Sequence, residues 1–141
     1  MLILDTDHLS EYQKGTSSAA LKLKQRLDVA AEPFGTTIIS VEEVMRGWMA
    51  AIRRTTGVRS QIRPYGRLRQ LFRFFATWNV VDWDDAAADH FESLKQAKVR
   101  GGAMDLKIAS ICLANDATLL TRNTNDFARV PGLRFEDWLS P

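Results

Sequence analysis

Four acidic side chains stand beside short apolar runs of this sequence, and carboxylates gathered in that way are suited above all to holding a hard divalent cation. They are Asp5, Glu43, Asp105 and Asp126. Carboxylates brought together repel one another, and burial further disfavours their ionised forms. A divalent ion removes both penalties, and oxygen donors that leave room for retained waters suit Mg²⁺ or Mn²⁺. Such an ion lowers the pKa of a bound water, and a pair of ions also stabilises the leaving oxygen of an in-line phosphoryl displacement. Other metal chemistry is closed off. The chain has a single cysteine, Cys112, which lies among Ile108, Ile111 and Leu113 and reads as a buried core thiol. His8 and His90 are isolated in the sequence and both read as structural.

Each acid also has an ordinary structural use. Ser40-Val41-Glu42-Glu43 has the spacing of a capping box, in which Glu43 reaches back to the Ser40 backbone N–H. Asp105 suits a helix start, where it can cap or meet the positive end of the dipole. Asn123 and Asp126 repeat the cap spacing, and Asp5 fits a turn leading into Thr6 and Asp7. Capping accounts for the acids one at a time. It gives no reason for all of them to lie together.

The elements that must position them follow from hydrophobic periodicity. Leu2 to Leu4, Thr36 to Ile39, Asn79 to Trp83, Ala117 to Thr121 and Leu133 to Phe135 read as short buried strands. Helical patterns lie between them: Thr16 to Ala31, Ser40 to about Thr55, a segment through Leu68, Leu71, Phe72 and Phe75, Asp84 to Val99, and Met104 to Asn115. Pro64 and Gly66 obscure where the third of these begins. This alternation calls for an α/β fold whose mostly parallel sheet of four to five strands is covered on both faces. Ligands of such sheets bind beyond the carboxyl ends of the strands. Asp5 and Asp126 follow strands, while Glu43 and Asp105 open helices, so all four belong to one edge of the sheet.

At 141 residues, with 45% apolar composition and no linker-like or repetitive segment, the chain reads as one domain. The apolar start is too short for a signal peptide, and no run approaches the ~20 apolar residues of a membrane span, so a cytoplasmic protein is expected. The net charge is only +2, yet Val44 to Val81 contains no Asp or Glu and holds Arg46, Arg53, Arg54, Arg59, Arg63, Arg67, Arg69 and Arg73. Lysine is absent from that stretch. The planar guanidinium fork binds phosphate or carboxylate, so the region reads as a surface for nucleic acid or an acidic partner, the plainer reading being a solvated basic face.

The sequence resembles the PIN-domain family, specifically the VapC-type toxins of bacterial toxin–antitoxin modules, over nearly its whole length. The resemblance is carried by Leu4-Asp5-Thr6-Asp7-His8-Leu9-Ser10, by Ile39-Ser40-Val41-Glu42-Glu43-Val44-Met45-Arg46-Gly47, by Met104-Asp105-Leu106-Lys107-Ile108-Ala109, and by Leu120-Thr121-Arg122-Asn123-Thr124-Asn125-Asp126-Phe127. Pro131-Gly132-Leu133 and Trp138 resemble the family's closing strand. It implies a single PIN domain over residues 1–141 with a three-layer α/β/α fold, and an endoribonuclease that depends on Mg²⁺ or Mn²⁺. It further implies neutralisation by a cognate VapB-like antitoxin, and a homodimer or larger toxin–antitoxin assembly. Asp5 and Asp105 carry over as metal ligands, Glu43 and Asp126 complete the acidic pocket, and Thr121 and Asn123 position water or ligands. Asp7 stands where many relatives have asparagine, which makes the pocket one charge more acidic and places Asp7 as a supporting group. Glu43 is preferred to Glu42 because Glu42 points about 100° away on the same helix. The arginines are assigned to RNA or to the antitoxin, chiefly Arg46, Arg53, Arg54, Arg59, Arg63 and Arg67.

Two other functions fit parts of the pattern. One is a non-catalytic PIN scaffold that binds RNA or a protein, its acids serving only as helix caps. The other reads Asp5-Thr6-Asp7 as the DxD of a haloacid-dehalogenase-type phosphatase, although His8-Leu9 occupies the place of the glycine–threonine that usually follows.

Overall fold

The computed structural model describes residues 1–140. The chain runs β1 (Leu2–Leu4), α1 (Thr6–Lys14), α2 (Ser18–Ala30), β2 (Phe34–Thr37), α3 (Ile38–Arg54), α4 (Ile62–Ala76), β3 (Val80–Val81), α5 (Asp85–Gln96), α6 (Ala103–Ala114), β4 (Thr118–Leu120), α7 (Thr124–Phe127) and β5 (Arg134–Glu136). The strands form one parallel sheet in the order β3-β2-β1-β4-β5. Strand order therefore reverses between β1 and β4, where Leu2, Ile3 and Leu4 pair with Thr118, Leu119 and Leu120.

The period-2 alternation of the central strands divides the core. Ile3 and Leu119 join α5, α6 and α7 on one face, with Ala87, Leu94, Leu106 and Phe127. Leu2, Leu4 and Leu120 join the first four helices on the other, with Leu9, Leu23, Val41 and Leu71. Both faces are covered, as a parallel sheet requires, and the three-layer α/β/α expectation holds. Leu106 to Cys112 of α6 is buried except at Lys107 and apolar except at Lys107 and Ser110, whose hydroxyl donates to the Leu106 carbonyl at 2.6 Å, which makes α6 the central helix of its layer. Gly35 lets β3 approach β2, since a Cβ there would lie 2.2 Å from the Asn79 carbonyl oxygen.

The boundaries depart from the sequence reading in ways that matter for the site. Thr6–Lys14 is a helix rather than a turn, begun by Asp5, whose side chain accepts from the Thr6 N–H, and ended by Gly15 at φ 77°. Its apolar positions are too few to announce a helical stripe. The β-branched pair Ile38-Ile39 belongs to α3 and not to a strand, because Thr37 caps that helix and accepts from the Ser40 N–H at 3.1 Å. The expected Ser40–Glu43 capping box is therefore not formed. Pro64 sits in the first turn of α4, where a backbone N–H has no intrahelical acceptor, so the helix passes through it. The Asp84 cap was legible, but α5 stops at Gln96 rather than Val99. Cys112 and His8 are buried, whereas His90 is exposed and so has no core role.

Candidate active site

The site lies at the carboxyl ends of β1 and β4, on either side of the strand-order reversal. Asp5 leaves β1 with its backbone N–H bonded to the Leu120 carbonyl at 2.9 Å. Its side chain is only 7% exposed. Oδ1 accepts from the Thr6 N–H at 2.8 Å and Oδ2 from the buried Thr121 hydroxyl at 2.7 Å. Thr121 Oγ1 accepts in turn from the Asn123 N–H at 3.0 Å, and Asn123 Nδ2 donates to Asp105 Oδ2 at 3.4 Å. One chain of hydrogen bonds thus links the end of β1, the end of β4 and the first turn of α6.

Asp105 makes no capping bond at its own helix start, where Gly102 stands at the N-cap. Glu43, one turn into α3, is half-buried, and its Oε1 is sealed from solvent with no partner in hydrogen-bonding geometry. Thr6 Oγ1 is likewise outside hydrogen-bonding geometry, though near enough to Glu43 to lower its carboxyl. Glu42 turns away and pairs with Arg46 at 2.7 Å. Asp126 lies in α7, half-exposed, with Arg129 at 3.9 Å.

Electrostatics couples these acids. Burial pushes Asp5 from 3.8 up to about 6, with Asp7 and Asp105 adding to the rise and the Thr121 and Thr6 hydrogen bonds opposing it. Glu43 is raised by burial and then by Asp5, Asp105 and Glu42, with the Thr6 hydroxyl opposing the rise. Asp105 is raised by burial and by Asp126. The fold therefore brings the sequence-selected acids into one interacting group. As the side chains stand, no three His, Cys, Asp or Glu residues among the described residues close on a common point tightly enough to clasp an ion.

Asp7 has a different situation. Its Oδ1 accepts from the His8 N–H and from His8 Nδ1, both at 2.6 Å, and its Oδ2 accepts from the Arg122 N–H at 3.0 Å. Burial pushes its carboxyl up, but these hydrogen bonds outweigh it and hold Asp7 below the usual carboxylate range. His8 is fully buried, and its Nε2 accepts the Trp138 N–H at 3.1 Å, which leaves the proton on Nδ1 facing Asp7. Asp7 and His8 thus tie the loop carrying Thr121 and Asn123 to the C-terminal segment. Sequence reasoning placed Asp7 beside the acids but missed this tie, since it reaches the Arg122 and Trp138 backbone N–H groups far along the chain, and it missed Thr6, whose N–H holds the neighbouring Asp5.

The arginines lie on α3, α4 and the turn between them, and all eight are exposed. Among the described residues, Arg46 alone of this set pairs with a carboxylate. No helix of the described residues is long and apolar enough to cross a membrane.

A family model for the PIN domain matches residues 2–133. The chain is similar to the tRNA(fMet)-specific endonuclease VapC of Shigella flexneri, 33% identical over 86 residues, which is 58% of this chain and 65% of that protein. It is 30% identical over 69 residues to ribonuclease VapC2 of Rickettsia felis, 46% of this chain and 52% of that one. The chain thus spans less than two thirds of the length of these curated relatives. Its fold is like that of DNA-bound VapBC from Salmonella typhimurium, with a TM-score of 0.73 at 23% identity, covering 97% of each chain. It is also like that of VapBC-1 from nontypeable Haemophilus influenzae, with a TM-score of 0.71 at 21% identity, covering 99% of this chain and 98% of that one.

Proposed function

This chain belongs to the PIN domain family, and from that premise we propose that it is a Mg²⁺- or Mn²⁺-dependent endoribonuclease, the toxin of a toxin–antitoxin pair. The observation that carries the proposal is the acidic group at the β1/β4 edge, unbalanced as it stands. Asp5, Glu43 and Asp105 are all raised by burial and by neighbouring carboxylates, and Glu43 Oε1 is buried with only the Thr6 hydroxyl, outside hydrogen-bonding geometry, to lower it. A divalent cation is the partner that this chemistry lacks, so the residues fit the ion. Asp5 and Asp105 would hold it, with Glu43 and Asp126 completing the charge. When bound, the ion supplies an acidified water and neutralises charge developing on the phosphate.

The protein's own groups prepare that reaction. Thr6 and Thr121 fix the two oxygens of Asp5, and Asn123 orients Asp105. The exposed guanidinium groups of α3 and α4 hold flanking RNA phosphates or, in the inhibited complex, an antitoxin segment. Cytoplasmic location, a homodimer and a VapB-like antitoxin belong to the same proposal. Purified protein is expected to cut RNA only with Mn²⁺ or Mg²⁺, and Asp5→Asn or Asp105→Asn is expected to abolish cleavage while the fold persists. Full activity in both variants would overturn the assignment.

One observation favours the non-catalytic scaffold, namely that no three acids among the described residues close on one point. That reading requires thermal stability indifferent to Mn²⁺ and no cation-dependent cleavage. The phosphatase reading fares worse, because it needs Asp7 as a free proton donor and both Asp7 oxygens are taken by His8 and Arg122.

A further inference from the structure

A cleft leads away from the acids between α1 and α3. Its inner part, about 390 Å³, is lined by Thr6, Ser10, Glu43, Gly47 and Trp48. An adjoining part of about 360 Å³ shares Ser10, Val44 and Trp48 with it and is closed by Gln13, Lys14, Arg67 and Gln70. Each part falls within the ~300–1,000 Å³ range of ligand clefts. Three chemistries follow one another along it. The oxygens of Thr6 and Glu43 lie at the inner end, the half-buried indole of Trp48 lines both parts, and the amides and cations of α1 and α4 stand at the outer end.

We propose that this cleft binds single-stranded RNA, with Trp48 as the surface on which the base next to the scissile phosphate stacks and with Arg67 and Lys14 holding the following phosphate. The proposal rests on the ribonuclease reading. The order of groups along the cleft matches the phosphate–base–phosphate order of one strand, and a groove between two helices admits unpaired bases, which stack on aromatic side chains. Charge favours RNA at the outer end. Lys14 is exposed and pairs with Glu11 at 3.3 Å, and Arg67 forms no ion pair among the described residues, reaching Gln70 at 3.4 Å. Beyond Arg67 the surface continues with exposed Arg59 and Arg63, and no Asp or Glu occurs from Val44 to Val81.

Gly47 makes the cleft testable. It lies inside α3, where glycine is a poor helix former, yet a Cβ placed there meets nothing within 4 Å. A side chain at this position should enter the cleft without disturbing the protein.

Binding can be read by fluorescence anisotropy of a labelled single-stranded eight-nucleotide RNA, in an Asp5→Asn background so that the probe stays intact. Gly47→Val and Trp48→Ala should each weaken binding about tenfold or more, the range that loss of a stacked base produces. Trp48→Phe should restore most of the affinity, and an abasic version of the oligonucleotide should bind weakly and ignore Trp48→Ala. Gly47→Val should unfold no earlier than its parent, which separates filling the cleft from damaging the fold. Unchanged affinity in both variants, with Mn²⁺-dependent cleavage by the wild type intact, would overturn the cleft proposal alone. A wild type that neither binds nor cuts RNA would overturn the ribonuclease reading and the cleft with it. Variants that lose only a protein partner would make the cleft a protein groove and refute the RNA assignment.

Discussion

Replacing Asp5 by asparagine should stabilise the cation-free protein at neutral pH while destroying its activity. Asp5 is 7% exposed, and its carboxyl rises from 3.8 to about 6 on folding. Between those values the native state holds a proton that the unfolded chain has released, so stability falls as pH rises through that window. The gap from 3.8 to about 6, at about 1.36 kcal/mol per pH unit, makes the loss about 3 kcal/mol, complete by pH 7. Asparagine does not ionise and escapes this loss. It keeps an acceptor for the Thr6 N–H but turns a donor toward Thr121, which costs about 1 kcal/mol. The variant should therefore be about 1 kcal/mol less stable than wild type near pH 4 and about 2 kcal/mol more stable above pH 7. At this chain length that is a gain of about 6 °C in Tm. The assay is thermal unfolding of both proteins in EDTA from pH 4 to 8, repeated with Mn²⁺. Added Mn²⁺ should lift the wild type and leave Asp5→Asn nearly unmoved, because only a ligand bound by the native state raises stability. Parallel pH curves for the two proteins would refute the claim that Asp5 is held ionised at a cost.

Thr121→Val removes the donor to Asp5 Oδ2 and the acceptor of the Asn123 N–H, and should destabilise by about 1–3 kcal/mol. The same EDTA titration should then show a steeper fall with pH, since Asp5 is pushed higher still. Cys112 is fully buried and its thiol is pushed up to about 12, so a thiol reagent at pH 8 should label it only after unfolding. Native labelling would contradict its place in the core. Neutralising Arg59, Arg63 and Arg67 to Gln should flatten the slope of log RNA affinity against log salt by up to about 2, at roughly 0.7 per single-strand phosphate contact. An unchanged slope would place these side chains outside the RNA contact, in keeping with the proposed antitoxin as their partner.

The sequence revealed those features that depend on composition near one point of the chain. Leu2–Leu4 and Thr118–Leu120 were legible because strands buried on both faces are continuously apolar. The Asp84 cap was legible because capping is local. Helix α1 was not, because in Thr6–Lys14 only Leu9 and Tyr12 are large and apolar, and the helix is held by its Asp5 start and Gly15 end. The β2–α3 boundary was misplaced because Ile38-Ile39 has strand character, while the choice is made by the Thr37 hydroxyl reaching Ser40. The acids were picked out individually, but the raised pKa values of Asp5, Glu43 and Asp105 come from burial and from approach of carboxylates on different elements, which no spacing encodes. The α1–α3 cleft was invisible for the same reason.

The tie through Asp7 shows how a site of repelling acids can keep its shape. Asp5 and Asp7 are two residues apart, yet burial leaves one raised and hydrogen bonding holds the other low. Asp7 is satisfied from three directions, by the His8 backbone, the His8 ring and the Arg122 backbone, so its charge is settled without a cation. In that settled state it anchors the Thr121–Asn123 loop, and the loop in turn holds Asp5 and reaches Asp105. The His8 ring extends the anchor to Trp138, which places the chain's last segment behind the active edge. Asp7→Asn should therefore act on geometry rather than on ligation. A neutral amide offers one acceptor oxygen where two now serve three donors, so either the His8 side or the Arg122 side must face a donor. The expected result is a fall in kcat with KM for RNA little changed, together with weaker Mn²⁺ stabilisation. A rise in KM at constant kcat would instead make Asp7 a substrate contact, and the anchoring role would fail.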